Sequence, residues 1–172
     1  MQPPEVKTTG KRAKTPEQAL AALMRLCARA EKSEGDARRL MRGWGLAERE
    51  GEQVLARLVR DRFIDDGRYA EAFVRDKLRL SGWGEYKIRT ALQRKRIDRE
   101  LIDAALAQAD RQDMAGRLRQ QLERKMRTTR HTTQYELKTK LIRYGLSLGY
   151  DYETVLDSAA ALVTDTETCD EF

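Results

Sequence analysis

One pattern of apolar residues recurs along this chain with a period of about 50 residues. Leu46, Ile97 and Tyr150 each stand just before a segment of helical spacing, and these three positions lie 51 and 53 residues apart. Nine and twelve residues after each of them come further apolar residues: Leu55 and Leu58, Leu106 and Ala109, and Ala159 and Leu162. Repeats of this length bury their apolar faces against their neighbours, so the pattern favours an elongated, curved array of helical units.

Each repeat contains three segments with apolar residues at helical spacing. In the first segment, Leu20, Leu23, Met24 and Cys27 lie at positions i, i+3, i+4 and i+7, on one face of a helix. No strand-length run alternates between apolar and polar residues, so we predict an all-α fold of three tandem three-helix repeats. The predicted ranges are a disordered basic arm at 1–14, repeats at 15–60, 61–110 and 111–163, and an acidic tail at 164–172.

Local signals predict where several helices begin. Thr15-Pro16-Glu17-Gln18 and Thr133-Gln134-Tyr135-Glu136 have the pattern of a capping box, in which a Thr side chain and a Gln or Glu side chain bind each other's backbone N–H groups. Asp65, Asp98 and Asp151 are predicted to accept hydrogen bonds from the N–H groups at the starts of three further helices.

Two tryptophans stand between glycines at turns that connect helices. Trp44 lies in Gly43-Trp44-Gly45, and Trp83 lies in Gly82-Trp83-Gly84. An exposed Trp can stack on nucleic-acid bases. We favour the alternative that each ring packs into the joint between helices.

Charge is distributed unevenly along the chain. Residues 111–144 contain 10 Lys and Arg against 3 Asp and Glu, whereas residues 145–172 contain none against 7. The dense basic block predicts a polyanion or an acidic protein surface as partner. The alternative is that the acidic end folds back and neutralises the basic block. The candidate contact residues are Arg75, Lys77, Arg79, Lys87, Arg89, Arg94, Lys95, Arg96, Arg117, Arg119, Arg124, Lys125, Arg127 and Arg130.

The sequence offers little for catalysis. His131 is the only histidine, and it lies in a Thr-rich linker. Cys27 and Cys169 are far apart, and none of the common glycine-rich nucleotide-binding motifs or serine-nucleophile motifs is present. Asp65-Asp66 could be read as a metal-binding pair, but we favour helix capping. We therefore expect a protein that is not an enzyme and has no cofactor or metal.

The longest apolar run has six residues, from Ala19 to Met24, which is far short of the roughly 20 residues needed to span a bilayer. We expect neither a membrane partner nor a secretory signal. The two cysteines are compatible with reduced thiols, so the expected location is cytoplasmic.

The second repeat carries a motif that resembles the signature of the RecX family, which comprises regulators of the RecA recombinase. The matching residues are Phe63, Ile64, Asp65, Asp66, Arg68, Tyr69, Ala70 and Phe73, followed by Gly82, Trp83 and Gly84. The resemblance covers about residues 17–163 and implies three tandem three-helix repeats. Arg96 departs from it, because the family commonly has Gly before the Ile at position 97.

The resemblance also implies a function. RecX proteins bind the filament that RecA forms on single-stranded DNA, and they limit its growth, ATPase, strand exchange and co-protease activities. It therefore implies RecA and single-stranded DNA as partners and a role in recombination, DNA repair and the SOS response; we expect a monomer. The alternative is a stand-alone helical protein that binds nucleic acid or regulates transcription. The signature residues themselves are expected to have structural roles.

Overall fold

The structure is a computed structural model that describes residues 13–167, with side chains up to residue 164. This range contains nine α-helices and no strand, which confirms the all-α prediction. The helices are α1 (Pro16–Cys27), α2 (Glu34–Gly43), α3 (Glu48–Arg60), α4 (Asp66–Ser81), α5 (Glu85–Arg94), α6 (Arg99–Ala107), α7 (Arg111–Thr128), α8 (Gln134–Ser147) and α9 (Tyr152–Glu167). In the described range, no helix is both long and apolar enough to cross a membrane.

The ends of the chain lie largely outside the described residues. This applies to residues 1–12 of the predicted basic arm and to residues 168–172 of the predicted acidic tail. Helix α9 continues to Glu167, so the first four residues of the range 164–172 are helical. The boundaries of the three repeats and the curvature of the array stay predictions.

The chain divides into two compact units, and the division falls within α4. Unit 1 extends to Tyr69, and unit 2 begins at Ala70. The core of unit 1 contains Leu23, Met41 and Leu58, each at most 2% exposed. Half-buried Trp44 packs against this core, so its indole lies in the joint after α2, as predicted.

Unit 2 contains most of α4 and all of α5–α9. One core cluster joins the last three helices and contains Leu118, Leu122, Leu137, Leu141 and Val155, each at most 1% exposed. The helices of the second repeat bury a further set of side chains: Ala70, Val74, Ile88, Leu92, Ile97, Ile102, Ala105 and Leu106.

Backbone hydrogen bonds join the start of α5 to the turn between α8 and α9 inside unit 2. The N–H of Gly84 donates to the carbonyl of Leu148 at 2.7 Å, and the N–H of Tyr86 donates to that of Gly149 at 3.0 Å. A Cβ on Gly84 would lie 2.5 Å from the backbone of Gly149 and Tyr150, so only glycine permits this approach. The Gly-Trp-Gly motif therefore serves the packing of the second repeat against the third.

Several predicted caps are present. Thr15 and Gln18 form both hydrogen bonds of a capping box. The Asp65 carboxylate accepts a bond from the N–H of Arg68 at 2.9 Å, and the Asp151 carboxylate accepts one from the N–H of Thr154 at 2.9 Å. These bonds span three residues, which is why the local sequence was sufficient to predict them.

Two predicted caps differ from the structure. Asp98 occupies the capping position of α6, but its side chain makes no capping hydrogen bond, so that prediction was wrong. Thr133 does cap α8, accepting from the N–H of Glu136 at 3.1 Å. The Glu136 carboxylate, however, accepts from the N–H and hydroxyl of Thr132, both at 2.9 Å, and not from the N–H of Thr133. The second half of that capping box is displaced because Thr132 offers two donors.

Arg96 adopts a backbone conformation that favours glycine. Its φ angle is +61°, in the left-handed region, at the turn between α5 and α6. The resemblance described above implies Gly at this point, and a left-handed φ is the conformation that Gly adopts most readily. Arg62, in the turn before α4, has a similar φ of +59°.

Candidate nucleic-acid interface

Several of the candidate cations are already paired with carboxylates. Arg89 pairs with Asp103, and its distance to Glu85 is 3.1 Å. Hydrogen bonding to Arg89 lowers the pKa of the Asp103 carboxyl below its ordinary value. Three further pairs join residues that are close in sequence: Arg75 with Asp76 at 3.7 Å, Arg117 with Asp113 at 2.9 Å, and Arg119 with Glu123 at 3.1 Å. The charges of these arginines are therefore partly neutralised by carboxylates of the same chain.

Two candidate lysines surround Trp83. The ammonium groups of Lys77 and Lys87 each lie 4.6 Å from the centroid of the indole, and Phe73 meets the indole edge-on at 6.4 Å. Lys87 also donates to the carbonyl of Ser147 at 3.2 Å. Trp83 is half-buried in this joint, as predicted, and its contacts with two cations and an aromatic ring leave it a poor platform for base stacking.

A second group of candidate cations remains available for a partner. These arginines are exposed and have no side-chain hydrogen bond or ion pair among the described residues: Arg79, Arg94, Arg96, Arg124, Arg127 and Arg130. Arg124 and Arg127 lie one turn apart on the last part of α7, and Arg130 follows in the linker to α8. The structure thus concentrates three of its unpaired cations at one end of α7. Lys95 has an interaction of its own within the protein and does not belong to this group.

This end of α7 borders a groove, which we call the α7–α8 groove. It has a volume of about 490 Å³ and is lined by Lys125, Thr128, Thr129, Arg130, Lys140, Arg143 and Tyr144. Four of these seven residues are cationic and none is acidic. The ammonium group of Lys125 lies 5.3 Å from the centroid of the Tyr144 ring. An anion is therefore the ligand that this groove is best suited to bind.

Lys140 fixes the shape of the groove. Its ammonium group donates to the carbonyl of Arg130 at 2.8 Å and pairs with Glu136 at 2.6 Å, which holds the linker against α8. Hydrogen bonds from Lys140 and Thr132 lower the pKa of the Glu136 carboxyl to about 2. Glu136 is consequently ionised at neutral pH and keeps Lys140 in place.

The sequence-based candidates did not include Lys140 or Arg143. Both lie on α8, whereas the predicted contact residues of the third repeat end at Arg130. A signal was present, because the excess of basic residues in the range 111–144 includes both of them. Only the packing of α8 beside α7 brings them next to Lys125 and Arg130.

The signature residues hold helices together. Arg68 pairs with Glu31 at 2.7 Å and donates to the carbonyls of Arg62 and Phe63 at 3.2 and 3.4 Å. The Asp66 carboxylate accepts a bond from the N–H of Glu34. The remaining members include Ile64, Tyr69 and Ala70, which are buried. The structural role of the signature as a whole stays a prediction.

The described residues contain no group of three or more His, Cys, Asp or Glu side chains arranged to hold a metal ion. Burial raises the pKa of the Cys27 thiol, which packs against the core of unit 1. His131 is exposed, with Nδ1 3.1 Å from the carbonyl of Thr129. The α7–α8 groove is therefore the candidate site.

Comparison with known proteins agrees with the repeat pattern. The second three-helix domain of RecX matches residues 65–106, and the third three-helix domain matches residues 112–157. Together these matches cover just over half of the chain.

The chain is also similar to individual RecX proteins. It is 33% identical over 97 residues to the regulatory protein RecX of Clostridium botulinum (strain Eklund 17B / Type B), covering 55% of this chain and 45% of that protein. It is 33% identical over 104 residues to the regulatory protein RecX of Serratia proteamaculans (strain 568), covering 60% of each. The matched segments thus span only about half the length of these relatives.

The fold resembles solved structures. RecX from Lactobacillus salivarius superimposes with a TM-score of 0.74 and 18% identity, over 87% of this chain and 96% of that one. A second crystal structure of regulatory protein RecX gives a TM-score of 0.74 and 22% identity, over 81% and 68% of the two chains. From the two domain matches and the arrangement of three-helix repeats, we conclude that this chain belongs to the RecX family of regulatory proteins.

Proposed function

We propose that this protein binds the RecA filament on single-stranded DNA and inhibits filament extension. RecA's ATPase, strand-exchange and co-protease activities then fall, because all three need the filament. The protein would act in the cytoplasm as a monomer, without catalysis of its own, and would modulate recombination, DNA repair and the SOS response.

The observation that carries this proposal is the group of unpaired cations at the end of α7, in a chain of this family. Arg124, Arg127 and Arg130 are exposed, and no carboxylate among the described residues neutralises them. A filament of protein on DNA presents phosphates, and basic side chains contact phosphates regardless of base sequence. The candidate cations that are paired inside the protein, such as Arg89 and Arg117, contribute less to such contacts.

The direct test is the ATPase of RecA on single-stranded DNA, measured at increasing concentrations of this protein. We expect the rate to fall as the protein reaches micromolar concentration. Filament length, measured by electron microscopy in the same mixtures, should fall in parallel. An unchanged ATPase at micromolar protein would reject the proposal.

The alternative function is binding of nucleic acid without RecA. The same unpaired cations favour it, since contacts to phosphates do not require a second protein. This alternative predicts tight binding to DNA alone, with a steep loss of affinity as the salt concentration rises. It also predicts that competing DNA abolishes any effect of the protein on RecA.

A further inference from the structure

We infer that the α7–α8 groove binds the phosphate backbone of single-stranded DNA directly, through the guanidinium groups of Arg130 and Arg143. This inference deepens the proposed function by assigning the DNA contact to one groove. It also names Arg143, which the pattern of charges along the sequence did not single out.

The polar groups of the groove divide into those that are occupied and those that are available. The hydroxyls of Thr128 and Thr129 donate to the carbonyl of Lys125, at 3.1 and 2.6 Å. Lys140 is bound to Glu136 and to a carbonyl of the linker. Arg130 and Arg143 are exposed, and their guanidinium groups have no partner among the described residues. The ammonium group of Lys125 lies against the Tyr144 ring. Arg130 and Arg143 are therefore the lining cations without such a contact, and an anion in the groove would meet their guanidinium groups.

Guanidinium groups suit phosphates in particular. The planar fork of an Arg donates two parallel hydrogen bonds to two oxygens of one phosphate. The volume of about 490 Å³ lies within the range of roughly 300–1,000 Å³ found for ligand-binding clefts. The groove is thus large enough for a segment of a single strand.

The composition of the groove favours nucleic acid over an acidic protein. The centres of interfaces between proteins are enriched in aromatic residues and Arg, but they are depleted of Lys. Here the lining consists of Lys, Arg and Thr with one aromatic residue, and the ring of that residue, Tyr144, lies beside the ammonium group of Lys125. Arg124 and Arg127 extend the positive charge along α7 beyond the groove, as sites that follow a nucleic-acid backbone do.

The test uses the full chain without RecA and measures binding to a fluorescent oligothymidylate by anisotropy over a series of salt concentrations. The variant is Arg130→Gln/Arg143→Gln. The matched control is Arg25→Gln/Arg49→Gln, which removes the same charge from exposed residues of unit 1 that have no ion pair among the described residues. Circular dichroism melts verify that both variants are folded.

Loss of two phosphate contacts should reduce the slope of log K against log salt by about 1.4 and weaken binding about 10- to 25-fold near 0.1 M salt. The control should keep the slope of the unmodified chain. Equal effects of the two variants would overturn the inference. So would a groove variant that loses affinity for polyglutamate but not for oligothymidylate, because the groove would then bind acidic polypeptide.

The DNA-binding test can fail or succeed independently of the test of the proposed function. Groove-dependent DNA binding without any effect on the RecA ATPase would leave this inference intact and reject the proposed function. If Arg130→Gln/Arg143→Gln still inhibits RecA and DNA binding does not depend on the groove, the inference about the groove is rejected and the proposed function stands.

Discussion

The Asp66 carboxylate accepts a hydrogen bond from the backbone N–H of Glu34 at 2.8 Å, joining the first residue of α4 to the first residue of α2. The N–H groups of the first turn of a helix have no partner within the helix. Ser33 caps α2 through the N–H of Asp36, and Asp66 satisfies a second N–H of the same turn from 32 residues away. An acidic signature residue thereby stabilises the start of α2 in unit 1.

We expect Asp66→Ala to lower the free energy of unfolding by about 1.5–3 kcal/mol, because the charged acceptor of a partly buried N–H is lost. Urea unfolding of the full chain measures the change. Asp61→Ala is the matched control, since the side chain of Asp61 takes part, among the described residues, only in exposed ion pairs with Arg57 and Arg60. Asp61→Ala should lower the free energy of unfolding by less than about 1 kcal/mol. An equal cost for the two substitutions would refute this role of Asp66.

Asp65→Ala should also destabilise the protein, by about 1 kcal/mol, because it removes the side-chain cap of α4. The melting temperature by circular dichroism is the measurement. If it stays unchanged, the capping role of Asp65 is wrong.

Gly84→Ala should cost about 1–3 kcal/mol or more, because the added methyl group would lie 2.5 Å from the backbone between Gly149 and Tyr150. Gly116→Ala, inside α7, is the opposite case: its added methyl group would meet nothing within 4 Å. It should stabilise the protein by about 0.5–1 kcal/mol through helix propensity. The prediction is contradicted if Gly84→Ala unfolds at the same urea concentration as the unmodified chain.

Arg96→Gly should raise the free energy of unfolding by about 0.5–1 kcal/mol. Relief of the left-handed backbone outweighs the greater freedom of Gly in the unfolded chain. Arg96→Ala removes the same charge but keeps the strained φ, so it should bring no such gain. Equal stabilisation by both substitutions would mean that charge, and not backbone conformation, causes the effect.

Glu136 gives the stability of the third repeat a dependence on pH. Its pKa is about 2 in the folded protein against an ordinary value of 4.5. The unfolded chain therefore binds a proton at higher pH than the folded chain does. The stabilisation is complete above pH 4.5 and is lost as the pH falls toward 2.

Glu136→Gln should weaken this dependence on pH between 4.5 and 2. Urea midpoints at a series of pH values measure the stability, and an NMR titration of the Glu136 carboxyl carbon measures its pKa in the folded protein. A carboxyl midpoint near 4.5 in the folded protein would show that Lys140 and Thr132 do not hold Glu136 ionised.

Charge neutralisation at the end of α7 should weaken binding to the RecA filament. We expect Arg124→Gln/Lys125→Gln/Arg127→Gln to raise the protein concentration needed for half-inhibition of the RecA ATPase. The control Arg25→Gln/Arg29→Gln/Arg49→Gln removes equal charge from exposed positions of unit 1. Arg38 and Arg39 are less suitable controls, because they pair with Glu34, Glu52 and Asp36. Equal shifts for the two triple variants would exclude α7 as the principal contact.

The features that were predictable from the sequence are those whose physics is local. Apolar residues at helical spacing identify the buried faces, because a helix repeats every 3.6 residues. Caps such as Thr15 and Asp65 bind N–H groups three residues away, so neighbouring positions determine them. Asp98 shows the limit of this reasoning: a suitable residue stands in the capping position, yet its side chain makes no capping bond.

The sequence by itself thus determined the helices, the repeat of about 50 residues and the family to which the chain belongs. Tertiary packing decided part of the charge pairing: Arg89 of α5 pairs with Asp103 of α6, whereas pairs such as Arg117 with Asp113 lie within one helix. It also decided that Arg143 of α8 lies with Arg130 in one groove, and that Gly84 meets the backbone at Gly149. Charge pairing and close backbone contact depend on distance in space, and distance along the chain does not specify it.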